Sequence, residues 1–293
     1  MLEARIEYVQ CLSPAGLHRM ACKVWGDPHN PKVLLCVHGV TRNAGDFDTL
    51  AAALSDTYRV VCPDIVGRGL SDRLPNPQLY QVPQYVADIV TLLARLNAEQ
   101  VDWFGTSMGG LIGIGLASLP RNPIRKLILN DIGPTLNADA LQRIGDYIGQ
   151  DMRFDSFDEG AAYIKSISLP FGPHTDQQWD KLARDVLIQN AEGQWVRHYD
   201  LSLAAPFKSA TPASIAQGEV VLWHAYDAIT CPTMLVRGAQ SDLLSHDTAM
   251  QMTQRGPKAR LVELAGIGHA PTFVIDSQIA LVADFLREVP PAR

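Results

Sequence analysis

The chain has 293 residues, 47% apolar and 19% charged, which is enough material for a large packed core and argues against intrinsic disorder. Its 25 Lys and Arg against 31 Asp and Glu give a formal charge of −6 with no long block of one sign, which argues against nucleic-acid binding through a basic face. The five cysteines (Cys11, Cys22, Cys36, Cys62, Cys231) are odd in number and form no C-x-x-C pair, so neither a disulfide framework nor a structural zinc site is expected.

The first residues, Met1 to Glu7, lack the basic start and apolar stretch of a secretory signal. No stretch approaches the roughly 20 apolar residues of a membrane span. A cytoplasmic protein without membrane or nucleic-acid partners is therefore expected. Ile6 to Cys11 and Leu17 to Trp25 have strand composition and are separated by Ser13-Pro14-Ala15-Gly16, which predicts a hairpin. Short apolar runs follow at Val33–Val37, Arg59–Cys62, Val101–Phe104, Lys126–Asn130, Thr233–Arg237 and Arg260–Leu264, the pattern of strands buried on both faces. Between them, Phe47, Leu50, Ala51 and Leu54 recur at helical spacing, as do Tyr85, Ile89, Leu92, Leu93 and Leu96. A last helix is predicted over Ser277–Glu288, with Pro290 and Pro291 beyond it. Strand and helix in alternation predict an α/β fold with a mostly parallel sheet and helices on both faces.

The stretch from about Pro134 to Glu219 breaks that rhythm. Helices are predicted over Asp139–Ile148, Asp158–Ser168 and Gln177–Asn190, and no buried strand. The expected organisation is a core of residues 1–133 and 220–293 with a helical cap inserted at 134–219.

Chemistry concentrates at the predicted strand ends. Gly105-Thr106-Ser107-Met108-Gly109-Gly110 lies between the strand Val101–Phe104 and a helix of small residues, the context in which G-x-S-x-G presents a serine nucleophile. A serine hydroxyl needs a base, and a base needs an orienting carboxylate. His269, in Gly266-Ile267-Gly268-His269 after the last predicted strand, is the expected base. Asp242, just past Thr233–Arg237, is the expected acid, with Asp131 at the end of Lys126–Asn130 as the alternative. The backbone N–H groups of Met108 and Val40 are the expected donors to an oxyanion, Val40 through the His38-Gly39 turn. His38 itself is expected to hold backbone.

At these residues the chain resembles the α/β-hydrolase superfamily, in its branch with a helical cap. The resemblance is carried by His38-Gly39, Pro63-Asp64-Ile65-Val66-Gly67-Arg68-Gly69-Leu70-Ser71-Asp72, Gly105–Gly110, Asp242 and Gly268-His269. It implies an eight-stranded sheet whose second strand is antiparallel, a Ser-His-Asp triad, and no cofactor or metal. The Asp64–Asp72 segment is expected to be structural. A serine at 107 separates the chain from relatives that carry aspartate there, the haloalkane dehalogenases and epoxide hydrolases. Thr106 stands where ring-cleaving C–C hydrolases commonly carry asparagine.

The leading expectation is hydrolysis of small to medium carboxylic esters through an acyl-enzyme. The alternatives are a C–C bond or enol-lactone hydrolase, a cofactor-free perhydrolase or haloperoxidase-like enzyme, and a non-catalytic ligand receptor on the same scaffold. Substrate contacts are expected among Arg42, Phe171, Trp179, Trp195, His198, Phe207 and Trp223. Oligomeric state is not legible in the sequence.

Overall fold

The computed structural model describes residues 4–135 and 137–288. In chain order the elements are β1 (Arg5–Ser13), β2 (Gly16–Trp25), β3 (Val33–Val37), α1 (Asp48–Leu54), β4 (Arg59–Pro63), α2 (Val82–Leu96), β5 (Val101–Thr106), α3 (Met108–Ala117), β6 (Ile124–Asn130) and α4 (Ala138–Ile148). They continue with β7 (Arg153–Phe154), α5 (Phe157–Ser168), α6 (Asp176–Val186), β8 (Leu187–Gln189), β9 (Trp195–Arg197), α7 (Ala205–Lys208), α8 (Pro212–Asp227), β10 (Thr233–Gly238), α9 (His246–Met252), β11 (Arg260–Leu264) and α10 (Asp276–Arg287).

The main sheet has eight strands in the order β1-β2-β4-β3-β5-β6-β10-β11. β2 runs antiparallel to both β1 and β4, and every pairing from β4 to β11 is parallel. Gly16, at φ +116°, closes the hairpin where a side chain would be strained. All five residues of β3 and the first five of β5 are buried, as expected of strands covered on both faces. One core cluster, containing Leu35, Trp103, Ile112 and Leu129, packs under α2, α3 and α8. The other contains Leu34, Phe104, Val236 and Phe285 and lies under α1 and α10.

Every strand predicted in the main sheet is present within two residues of its expected ends. The segment between β6 and β10 departs from expectation. It is not all-helical: β7, β9 and β8 form a three-stranded antiparallel sheet, and the helix predicted to reach Asn190 stops at Val186, where Leu187 turns extended at φ −112°, ψ 138°. The boundary expected at 219/220 falls inside the continuous helix α8, which is opened by a capping box at Thr211 and Ser214. Pro290 and Pro291 lie outside the described residues. No helix among the described residues is long and apolar enough to cross a membrane.

Candidate active site

The parallel register brings two strand ends side by side. Thr106 of β5 pairs with Asn130 of β6, and Asn130 pairs with Val236 of β10. One residue further on, the Ser107 N–H donates to the Asn130 carbonyl at 2.9 Å and the Asp131 N–H to that of Val236 at 2.7 Å. Ser107 and Asp131 are therefore neighbours at the carboxyl edge of the sheet, although 24 residues separate them in sequence (131 − 107).

Ser107 sits at φ 51°, ψ −116°, where a side chain costs about 1–3 kcal/mol. The turn is that sharp because β5 reverses directly into α3, and the flanking glycines make it possible. A Cβ on Gly105 would lie 2.3 Å from the Gly109 carbonyl oxygen, and one on Gly109 would lie 2.0 Å from that of Val37. Trp103 holds the helix in place from below, its indole N–H donating to the Gly109 carbonyl at 3.1 Å.

His269 reaches the same edge from the loop after β11. Asn130 ties that loop down, its side-chain amide donating to the Pro271 carbonyl at 2.8 Å and to the Thr106 hydroxyl at 3.0 Å. His269 Nε2 lies 2.9 Å from Ser107 Oγ, and its Nδ1 lies 2.7 Å from Asp131 Oδ2. Asp131 is fully buried, and its carboxylate accepts the Gly238 N–H at 2.9 Å and the Ser241 hydroxyl at 2.6 Å. A hydroxyl beside an imidazole whose other nitrogen faces a buried carboxylate can be deprotonated as it attacks a carbonyl.

The acid expected first is displaced from this chain of contacts. Asp242 lies one residue beyond Ser241, on a turn closed by the Ser241 N–H to the Gly238 carbonyl, and its carboxylate pairs with Arg143 of α4. Its side chain is 52% exposed. The physical reason is topological: β6 is the immediate neighbour of β5, so Asp131, one residue past the end of β6, stands beside Ser107 at the sheet edge, whereas Asp242 follows β10, one strand further away.

The expected oxyanion donors lie around the same point. Met108 opens α3, where first-turn N–H groups have no intrahelical acceptor and the helix dipole favours an anion. A Cβ on Gly39 would stand 3.7 Å from Ser107 Cβ, so the His38-Gly39-Val40 turn passes close over the nucleophile. His38 holds that turn: Nδ1 lies 2.7 Å from the Gly39 carbonyl oxygen, and Nε2 accepts the Ile65 N–H at 3.0 Å. Burial pushes its imidazole down to about 4, so it is neutral at pH 7.

Arg68, in the segment expected to be structural, joins both donor residues. It donates to the Val40 carbonyl at 2.9 Å, to the Val66 carbonyl at 2.8 Å, to the Tyr85 hydroxyl at 3.0 Å and to Met108 Sδ at 3.2 Å. The rest of that segment is scaffold, Asp64 accepting the N–H groups of Ala44 and Leu70.

Two cavities meet at Ser107, Val40, Ile144 and Leu243, one of about 510 Å³ and one of about 730 Å³. Phe171 lines the first and Phe207 the second. The other aromatic candidates lie outside both linings: Trp179 packs on His174 with ring centroids 4.5 Å apart, and Trp195 on Phe157 at 5.1 Å. Trp223 donates to the Thr135 hydroxyl and is covered by the Arg255 guanidinium. His198 is half-buried and is tied through its backbone to Val186 and Gly69. Arg42 lines the smaller cavity but is held bidentately by Asp46 and by the Leu182 carbonyl. Sequence reasoning missed Arg143, Tyr147, Arg197 and Tyr199 in the same wall.

Away from this edge, ligating atoms of Cys11, His18 and Asp88 gather within 4.8 Å of one another. Burial and the Asp88 charge push the Cys11 thiol up to about 12, so it is protonated at neutral pH. His18 and Asp88 pair with each other at 3.0 Å.

Comparison with known proteins agrees with this architecture. A 3-hydroxybutyrate-oligomer hydrolase of Cupriavidus necator is 56% identical over 284 residues, covering 96% of this chain and 97% of that protein. An esterase of Escherichia coli is 26% identical over 247 residues, covering 82% and 87%. Among solved structures, an alpha/beta hydrolase from Novosphingobium aromaticivorans superposes with a TM-score of 0.86 at 36% identity, covering 99% of this chain and 100% of that one. The profile of the alpha/beta hydrolase fold matches residues 32–274, and with the sheet order and the strand-to-helix serine turn described above, this chain belongs to that family.

Proposed function

We propose that the protein hydrolyses carboxylic esters, with short oligomers of a hydroxyalkanoate such as 3-hydroxybutyrate as its substrate class. The observation that carries the reading is the continuous contact from Ser107 Oγ through His269 to the buried Asp131, opening onto two cavities. The substrate class is supported by 56% identity to an oligomer hydrolase over nearly the whole of both chains. Units of 3-hydroxybutyrate in an oligomer are joined by ester bonds, so the bond to be cleaved matches the chemistry available.

In this reading Ser107 Oγ attacks the ester carbonyl while its proton passes to His269 Nε2. Asp131 holds the Nδ1 proton and stabilises the imidazolium. Negative charge develops on the carbonyl oxygen and is received by the N–H groups of Met108 and Val40. Collapse of the tetrahedral intermediate breaks the C–O bond, and His269 gives its proton to the departing alkoxide. Water, deprotonated by the same imidazole, then releases the acid and restores Ser107. The segment between β6 and β10, which supplies Phe171, Tyr147 and Phe207 to the cavity walls, acts as the cap over the ester and sets its size.

The test combines para-nitrophenyl esters of increasing chain length and the 3-hydroxybutyrate dimer with a fluorophosphonate, followed by peptide mass spectrometry. Turnover, inhibition and an adduct on Ser107 are expected, and Ser107→Ala abolishes all three. Full esterase turnover by that variant would overturn the assignment.

A further inference from the structure

The charges lining the smaller cavity do not balance. Arg42, Arg143 and Arg197 face Asp46 and Asp242 there, three guanidiniums to two carboxylates, so 3 − 2 leaves one positive charge. Asp46 takes Arg42 and Asp242 takes Arg143, and the surplus charge is that of Arg197. Arg197 ends β9 and is only 5% exposed. Its Nη2 donates to the Gln150 carbonyl and its Cζ lies 5.1 Å from the Tyr199 ring centroid. Its Nε and Nη1 are buried with no hydrogen-bond acceptor among the described residues. A guanidinium taken out of water without a counter-anion is costly to hold, and an anion in the adjoining cavity offsets that cost.

We infer that Arg197 is a carboxylate anchor, and that the smaller cavity takes an ester whose leaving alcohol carries a free carboxylate, as the terminal unit of a hydroxyacid oligomer does. The inference rests on the ester-hydrolase reading of Ser107 and His269. His269 lines this cavity and not the larger one, so the alcohol that takes the proton from its Nε2 departs on the Arg197 side. Leu111, Ile132, Leu141 and Phe207 line the larger cavity, which suits the acyl part. Tyr147 and Tyr199 stand in the wall with Arg197, whose fork suits a planar carboxylate. Arg42 cannot serve in its place because Asp46 already occupies its fork.

The experiment compares the linear dimer of 3-hydroxybutyrate with the primary amide of its carboxyl end, two esters that differ in one charge. The unaltered enzyme is expected to prefer the acid by at least about tenfold in kcat/KM, the size of one charge-assisted hydrogen-bond pair. In Arg197→Gln the ratio falls toward one, and because it is a ratio it does not depend on how much of the variant is folded. A ratio near one in the unaltered enzyme, or a preference retained in the variant, overturns the anchor. Where the variant yields no active protein, inhibition of the unaltered enzyme by 3-hydroxybutyrate and by 3-hydroxybutyramide decides. The carboxylate is expected to bind at least about tenfold tighter, and equal inhibition constants overturn the inference. Failure of the underlying ester-hydrolase reading looks different: neither dimer is cleaved and no fluorophosphonate adduct forms on Ser107.

Discussion

Replacing Asp131 by Asn changes one atom in a place where almost nothing else can move. The carboxylate is fully buried, and Oδ2 already accepts from Ser241 while facing His269 Nδ1. In the amide, one oxygen still accepts the Gly238 N–H, but an NH2 group then faces the imidazole. His269 must answer with an unprotonated Nδ1, which places its proton on Nε2 and leaves no base opposite Ser107 Oγ. The wrong tautomer costs roughly 10⁴ in kcat. Asp242→Asn removes only a half-exposed ion pair with Arg143, worth at most about 1 kcal/mol, or a change of no more than about fivefold. The assay is kcat/KM on para-nitrophenyl butyrate for both variants, alongside the rate of fluorophosphonate labelling of Ser107, which reads the nucleophile without needing turnover. Asp131→Asn within tenfold of the unaltered enzyme, together with a collapse in Asp242→Asn, would refute the reasoning.

Arg68→Gln loosens Val40 and Met108 together, and kcat is expected to fall by about 10- to 100-fold with KM nearly unchanged, because the effect is on the oxyanion rather than on binding. An equal rise in KM would count against it. Gly109→Ala drives a methyl to 2.0 Å from the Val37 carbonyl oxygen, with an expected loss of more than about 4 kcal/mol and of about 10 °C in Tm. Gly218→Ala, in α8 with open space around it, is the control and is expected to hold or raise Tm. His38, ordinarily near 6.5 and pushed by burial to about 4, binds its proton in the unfolded chain before the folded one does. Its contribution is therefore complete above pH 6.5 and is lost as pH falls toward 4, about 3 kcal/mol in all. Urea titrations from pH 7 to 4.5 should show that slope in the unaltered protein and a shallower one in His38→Gln. Identical slopes would contradict the assignment.

The serine and histidine were legible because each sits in a local pattern, a glycine-flanked turn from strand to helix and a glycine-rich loop after a strand. The sequence favoured Asp242 over Asp131, but the contact with His269 falls to Asp131 instead; both follow strands, and no local pattern tells them apart. What distinguishes them is which strand lies beside β5, a fact about non-local pairing. The strands β7, β8 and β9, of two or three residues each, are too short to show an alternating period, so the insertion read as helical throughout. Arg197 had no signal for the same reason. Its significance comes from what fails to face it, and an absent partner leaves no trace in sequence. α8 was missed because its apolar residues do not form one stripe: Val220 and Val221 are exposed while Trp223 and Tyr226 are buried.

The contacts joining Ser107 to His269 and His269 to Asp131 span 162 and 138 residues. No fragment short enough to fold early contains them, and closing such long loops is entropically unfavourable until β5, β6 and β10 are paired. Turnover is thus a gauge of completed assembly. During refolding, ester cleavage should return no sooner than the fluorescence of Trp103 buried between β5 and α3, and a partly assembled chain should be inert rather than weakly active.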